Sequence, residues 1–211
     1  MYKILLIDDH AVVRAGFRRL LEEQGEFEVV DEIGLCAKVM ESYRQQPPDV
    51  VVVDISMPDC SGFELIDRLR AFDSSVKILV LSSYDRDPFP CRAMQAGAQG
   101  FLSKCCDPNE LSEALKVIAE GGTYASQELE SQLRGNKSST NELFKRLSQR
   151  EFDIFCLLAK GFTVNEVANR VHLSPKTVYV HRSNIMKKLN LSRQSELIQL
   201  AMQYKVVEVN A

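Results

Sequence analysis

Residues 50–62 read VVVVDISMPDCSG: four valines run straight into a carboxylate and then into a turn built on Pro58 and Gly62. A β-branched run with no polar alternation suits a strand covered on both faces, as in a parallel sheet with helices on either side. Asp54 then stands where that strand leaves the core. Burying a lone carboxylate is costly, so a residue in that place is either a turn aspartate capping its own loop or one partner in a charged site. The rest of the chain decides between the two.

Outward from this stretch, strand-like runs recur at KILLI (3–7), EFEVVDEI (26–33), KILVLS (77–82) and GFLS (100–103), with helix-period segments between them. Val13, Phe17, Leu20 and Leu21 share a face of the first such segment; Leu111, Leu115 and Ile118 share a face of the last. Asp107, Pro108 and Glu110 supply a cap, a first-turn proline and a box glutamate for that last helix. The alternation predicts an α/β fold, a doubly wound five-stranded parallel sheet. Right-handed crossovers put the C-terminal ends of all its strands along one edge, where ligands bind in such folds. Along that edge the first strand ends in Asp8 and Asp9, the third in Asp54, the fourth in Ser82 and Ser83, and the fifth in Ser103 and Lys104.

Three clustered carboxylates repel one another unless a divalent cation sits among them, and Mg²⁺ is the hard, oxygen-preferring ion that keeps few protein ligands. Such an ion also neutralises an incoming phosphoryl group, so a neighbouring carboxylate can act as nucleophile and form an acyl phosphate. Asp54, on the central strand, is the candidate nucleophile. Lys104 and Ser82 are the candidates to pair with phosphoryl oxygens.

The 211 residues allow two modest domains, and their charge is unevenly spread. Residues 1–123 hold 13 Lys+Arg against 21 Asp+Glu, whereas residues 148–211 hold 9 against 5. A basic half attached to an acidic one points to a polyanion as its partner. The opening MYKILLIDDH reads as a strand rather than a signal peptide, and no segment is long enough to span a bilayer, so the expected location is cytoplasmic with no membrane partner. Six cysteines without C-x-x-C spacing indicate neither a zinc site nor a disulfide framework and read as reduced thiols; the adjacent Cys105 and Cys106 are the pair that could sense oxidants.

Residues 122–146 read as a linker with a short polar helix, ending in a Gly/Asn/Ser/Thr stretch. An all-α domain follows over 147–211. Ser148 with Glu151 and Thr163 with Glu166 form capping boxes, Gly161 stops the first helix, Ser174 caps the third with Pro175 in its first turn, and a last helix begins at Ser192. The second and third helices, joined by the turn HLS, make a helix-turn-helix whose second member fits the DNA major groove. At about 100° per residue, Val178, Ile185 and Leu189 share the core face of that helix, with Arg182 snorkelling beside them. Lys176, Tyr179, Val180, Ser183 and Lys187 fall on the opposite face. Lys176 and Lys187 suit phosphates and Tyr179, Val180 and Ser183 suit base edges, with Thr177, His181 and Lys188 flanking near the backbone. An ordinary solvated helix face is the competing account.

The segments IDDH, VVVDISMPDCSG, VLSSYD and AGAQGFLSK resemble bacterial response-regulator receiver domains, which are flavodoxin-like. LSQREFDIFCLLAKGFTVNEVANRVHLSPKTVYVHRSNIMKKL is similar to the LuxR-type helix-turn-helix, and together they resemble the NarL/FixJ class of regulators, in its branch near UhpA or GacA. The resemblance covers nearly the whole chain. It implies a receiver over 1–121 with Asp54 as phosphoacceptor, and Asp8, Asp9, Asp54 and the backbone carbonyl of Ser56 around Mg²⁺. It further implies Ser82, Phe101 and Lys104 as a switch, a sensor histidine kinase or other phosphodonor as partner, and double-stranded DNA and RNA polymerase as further partners. Phosphorylation would yield a homodimer. Phe101 lacks a phenolic hydroxyl, so its part must be packing, and Cys105 stands where many receivers have proline.

Two rivals stand beside a phosphorylation-controlled transcriptional regulator. A Mg²⁺-dependent phosphohydrolase with Asp54 as nucleophile would want a carboxylate two residues on, where this chain has Ser56, and a substrate-covering insertion. A constitutive DNA binder would have no use for the complete Asp/Ser/Lys set.

Overall fold

The computed structural model describes residues 1–57, 59–125 and 143–207. These fall in two compact units. In the first, β1 (Tyr2–Ile7), β2 (Phe27–Ile33), β3 (Val50–Asp54), β4 (Ile78–Ser82) and β5 (Gly100–Ser103) alternate with α1 (Ala11–Glu23), α2 (Cys36–Gln45), α3 (Gly62–Phe72), α4 (Phe89–Ala96) and α5 (Pro108–Ala119). All strand pairs are parallel, in the order β2-β1-β3-β4-β5, with a sixth strand beyond β5.

The sixth strand, β6 (Tyr124–Ala125), corrects the expectation of five. It pairs with Gly100 and Phe101 of β5, and at two residues it is too short to carry a periodicity, so the sequence assigned it to the linker. Residues 126–142 of the expected linker, with its short helix, lie outside the described residues.

The unbroken valines of β3 are buried because both faces of the sheet are covered. Val50 and Val52 join Ile4, Leu6, Leu79, Leu81 and Leu102 in one core cluster with Leu21, Leu111, Leu115 and Ile118 of α1 and α5. Val51, Val53, Leu5, Ile7, Ile78 and Val80 are equally buried on the opposite face. Each such side chain contributes roughly 1.5–3 kcal/mol on leaving water. In register, Ile7 lies beside Val53, Asp54 beside Leu81 and Ser82 beside Ser103, so the polar strand ends arrive at one edge together. The chain leaves β1 toward β2 on one side and enters β3 on the other, which opens the crevice at the switch point between them.

A second sequence expectation fails in this unit. Cys36, the first residue of α2, and Cys60, in the loop after β3, form a disulfide with their Cα atoms 6.2 Å apart. The pairing spans 24 residues and depends on the fold folding back on itself, so motif spacing carried no trace of it. Cys91, Cys105, Cys106 and Cys156 are in no disulfide, and burial pushes the Cys106 thiol up to about 11, which disfavours it as an oxidant sensor.

The second unit is helical: α6 (Gln149–Ala159), α7 (Val164–Arg170), α8 (Pro175–Lys188) and α9 (Gln194–Gln203). The caps read from sequence hold. Ser148 and Glu151, and Thr163 and Glu166, close reciprocal boxes, Ser174 accepts from the Thr177 N–H, and Gly161 ends α6 at φ +90. The last helix starts two residues later than expected, with the Glu196 carboxylate accepting from the Ser192 and Arg193 N–H groups. Phe144 packs its ring on Phe155 at 5.2 Å and edge-on to Tyr204 at 5.7 Å, which ties the segment ahead of α6 to the end of α9.

Candidate functional sites: an acidic pocket and a basic helix

At the carboxyl edge of the sheet, Asp54 is 1% and Ser82 0% exposed, and Asp8 is buried beside them. Lys104 reaches in from the end of β5 and places Nζ 2.8 Å from Asp54 Oδ2 and 2.6 Å from Asp8 Oδ2. The Ser56 N–H donates to Asp54 Oδ1 at 3.0 Å, and the His10 N–H donates to Asp8 Oδ1 at 2.8 Å. Asp54 is therefore no free turn residue. Burial raises its carboxyl above the ordinary range, a push that the Lys104 ammonium and the Ser56 N–H only partly offset. Burial works against the Lys104 ammonium too, yet its hydrogen bonds to Asp54 and Asp8 hold it above the ordinary lysine range.

Ligand atoms of Asp8, Asp9, His10 and Asp54 all lie within 4.8 Å of one another. Asp9 Oδ1 is buried and accepts no hydrogen bond, although His10 Nδ1 lies 2.9 Å away. Three carboxylates against one ammonium, with an orphaned buried oxygen among them, is a donor set that fits a hard divalent cation.

Ser82 Oγ accepts from the Tyr84 N–H at 3.0 Å, and the Lys104 N–H donates to the Ser82 carbonyl at 2.9 Å, so the ends of β4 and β5 are locked together. Phe101, beside Val80 in register, is buried at 3% exposure. Sequence reasoning passed over two residues here. His10 adjoins the acids in the IDDH run and was readable as a neighbour, whereas Arg14, one turn into α1, donates to the Asp8 carbonyl and underlies Gly34, a role with no sequence signal.

In the second unit, α8 presents Lys176, Tyr179, Val180, Ser183 and Lys187 as exposed side chains, with Tyr179 at 56% and Val180 at 54%. Val178, Ile185 and Leu189 are buried on the other face, as the helical spacing predicted. Arg182 is half-buried and donates Nε to Gln194 Oε1 at 3.2 Å, and Thr177 is held by Ser174, with 2.7 Å between their hydroxyl oxygens. His181 is half-buried with Nδ1 lacking a partner. Lys188, expected to flank the groove face, places Nζ 2.6 Å from the buried carboxylate of Glu151. That ion pair joins α8 to the N-terminus of α6.

Family models match both units: the response regulator receiver domain over residues 4–116, and the luxR family of bacterial regulatory proteins over residues 145–201. The response regulator UvrY of Escherichia coli K12 is 36% identical over 207 residues, covering 97% of this chain and 95% of its own. The transcriptional regulatory protein UhpA of the same strain is 38% identical over 197 residues, covering 93% and 96%. Among solved structures, RcsB of Salmonella enterica serovar Typhimurium, bound to a promoter in the presence of the phosphomimetic BeF3−, aligns with a TM-score of 0.76 at 26% identity over 96% of this chain and 98% of that one.

Proposed function

Since the chain belongs to the response regulators that join a receiver domain to a LuxR-type DNA-binding domain, we propose that Asp54 is its phosphoacceptor and that the exposed face of α8 reads DNA. The protein is a DNA-binding transcriptional regulator of a two-component system and not a phosphohydrolase. The observation that carries the assignment to Asp54 is the Lys104 ammonium bridging Asp54 and Asp8 at the switch point of the sheet. In the proposed step an Asp54 carboxylate oxygen forms a bond to phosphorus while the bond from phosphorus to the donor, a histidine of a sensor kinase or a small acyl phosphate, breaks and its electron pair leaves with the donor. Asp8, Asp9, Asp54 and the Ser56 carbonyl would hold Mg²⁺, which when bound offsets the charge of the phosphoryl group. Lys104 then exchanges a carboxylate oxygen for a phosphoryl oxygen, Ser82 leaves the Tyr84 N–H to donate to another, and Phe101 fills the space the hydroxyl vacates.

On α8, Tyr179, Val180 and Ser183 are proposed to meet base edges and Lys176 and Lys187 phosphates, with Thr177, His181 and Arg182 holding the helix in place. Lys188, exposed and paired with Glu151, is proposed to flank them near the DNA backbone. Phosphorylated protein would bind as a homodimer to half-sites about a helical turn apart and act on RNA polymerase in the cytoplasm. Acetyl phosphate with Mg²⁺, read by intact mass on wild type and Asp54→Asn, tests the phosphoacceptor assignment.

A further inference from the structure

Residues 55–57 and 59–61 lie between the phosphoacceptor strand and α3, and they are fastened on two sides. At their base the Gly62 N–H donates to the Ile55 carbonyl at 3.3 Å, and the Ser56 N–H holds Asp54 Oδ1. At their far side they meet the first turn of α2. The Cys36 N–H donates to Asp59 Oδ2 at 2.7 Å, Met57 Sδ lies 4.0 Å from Cys36 Sγ, and Cys60 is bonded to Cys36. Cys36 is 2% exposed while Cys60 is half-buried, so a solution reagent meets Cys60 first and finds Cys36 poised behind it.

We propose that Cys36 and Cys60 form a reversible disulfide, made and broken by exchange with low-molecular-weight disulfides and thiols of the glutathione class, whose state sets how firmly the loop carrying Ser56 is held against α2. The chemistry closes without further reagents. The Cys60 thiolate attacks one sulfur of the small disulfide, forming a mixed disulfide and releasing one thiol. The Cys36 thiolate attacks Cys60 Sγ and releases the second thiol, so the protein loses two electrons and two protons and the small disulfide gains them. In a reducing compartment a bridge of this kind is transient and responsive rather than permanent. Oxidation ties the loop in the conformation that presents Ser56 to Asp54, and preorganisation of that kind tightens binding at the site.

The proposal rests on the receiver reading through Asp54, and its test separates the two. Full-length protein is equilibrated in buffers of graded oxidised-to-reduced glutathione ratio, alkylated and mapped. The expected result is a Cys36–Cys60 peptide link that appears and disappears over an intermediate range of ratios, whereas oxidation at exposed Cys105 adds a glutathione instead. Mg²⁺ titration by calorimetry and acetyl phosphate labelling are then compared between the two forms. The oxidised form is expected to bind Mg²⁺ several-fold more tightly and label faster. Cys60→Ser, with Cys36→Ala as the second variant, should match the reduced form in both buffers. Absence of the link at every ratio, a link that leaves Mg²⁺ affinity and labelling rate unchanged, or Zn²⁺ retained by the reduced thiols and Asp59 in place of the link would each overturn the proposal. Labelling of the reduced wild type reports separately on Asp54.

Discussion

Two glycine-to-alanine substitutions of identical chemistry should have opposite outcomes. A Cβ at Gly62 would lie 2.3 Å from Ile55 Cα and 2.5 Å from the Asp54 carbonyl oxygen, both backbone atoms. No side-chain rotation relieves that overlap. Overpacking a core commonly costs about 1–3 kcal/mol, and with backbone as the obstacle Gly62→Ala belongs at or above the upper end. For a domain of this size that corresponds to a fall of roughly 10–15 °C in the melting of the receiver. The displaced atoms belong to the phosphoacceptor and its neighbour, so labelling by acetyl phosphate should slow as well. A Cβ at Gly16, inside α1, meets nothing within 4 Å. Gly16→Ala should therefore stabilise by about 0.5–1 kcal/mol through helix propensity alone. Thermal unfolding followed by circular dichroism, with intact-mass labelling on the same samples, reads both. A Gly62→Ala protein that melts and labels like wild type would show that the packing around the β3–α3 junction is not as described, and a Gly16→Ala protein that melts lower would show the same of the open space beside α1.

Burial opposes ionisation of Glu151, but Lys188 and the Ser148 N–H hold its carboxyl below the ordinary 4.5. A depressed folded pKa gives stability that is fully present above the unfolded value and lost as the pH falls from there through the folded one; Glu151→Gln should cost about 1–2 kcal/mol at neutral pH, given the partly exposed Lys188, and flatten the acid limb of the melting curve. Lys187→Ala should weaken specific and nonspecific DNA binding alike and lower the salt slope by about one unit, whereas Tyr179→Ala or Val180→Ala should narrow the gap between specific and nonspecific sites; equal losses on both DNAs for all three variants would refute the division of the α8 face. Asp9→Ala should raise the Mg²⁺ titration midpoint and slow labelling, and an unchanged titration would remove Asp9 from the pocket.

The fold was legible wherever a signal is local. Apolar runs marked the five long strands, unbroken in β3 because both sheet faces are covered there, and the Ser148, Thr163 and Ser174 caps marked helix starts because capping is settled within three residues. The convergence of Asp8, Asp54, Ser82 and Lys104 followed from parallel strands and right-handed crossovers. Features set by tertiary return were not legible. The Cys36–Cys60 bridge, the Lys188–Glu151 pair across 37 residues and the Arg14 support of Asp8 each join elements whose meeting no period or motif encodes. Tyr124–Ala125 was missed for a different reason, its hydrogen bonds to β5 being its one distinguishing mark.

Phosphorylation control through Asp54 is tested most directly by one paired measurement: intact mass after acetyl phosphate and Mg²⁺, with promoter binding recorded on the same preparations. Wild type should gain a single phosphoryl group and bind promoter DNA more tightly once labelled, while Asp54→Asn should gain none and show no change on treatment. An Asp54→Asn protein labelled as fully as wild type, or one whose DNA binding responds to the phosphodonor as wild type does, would contradict it.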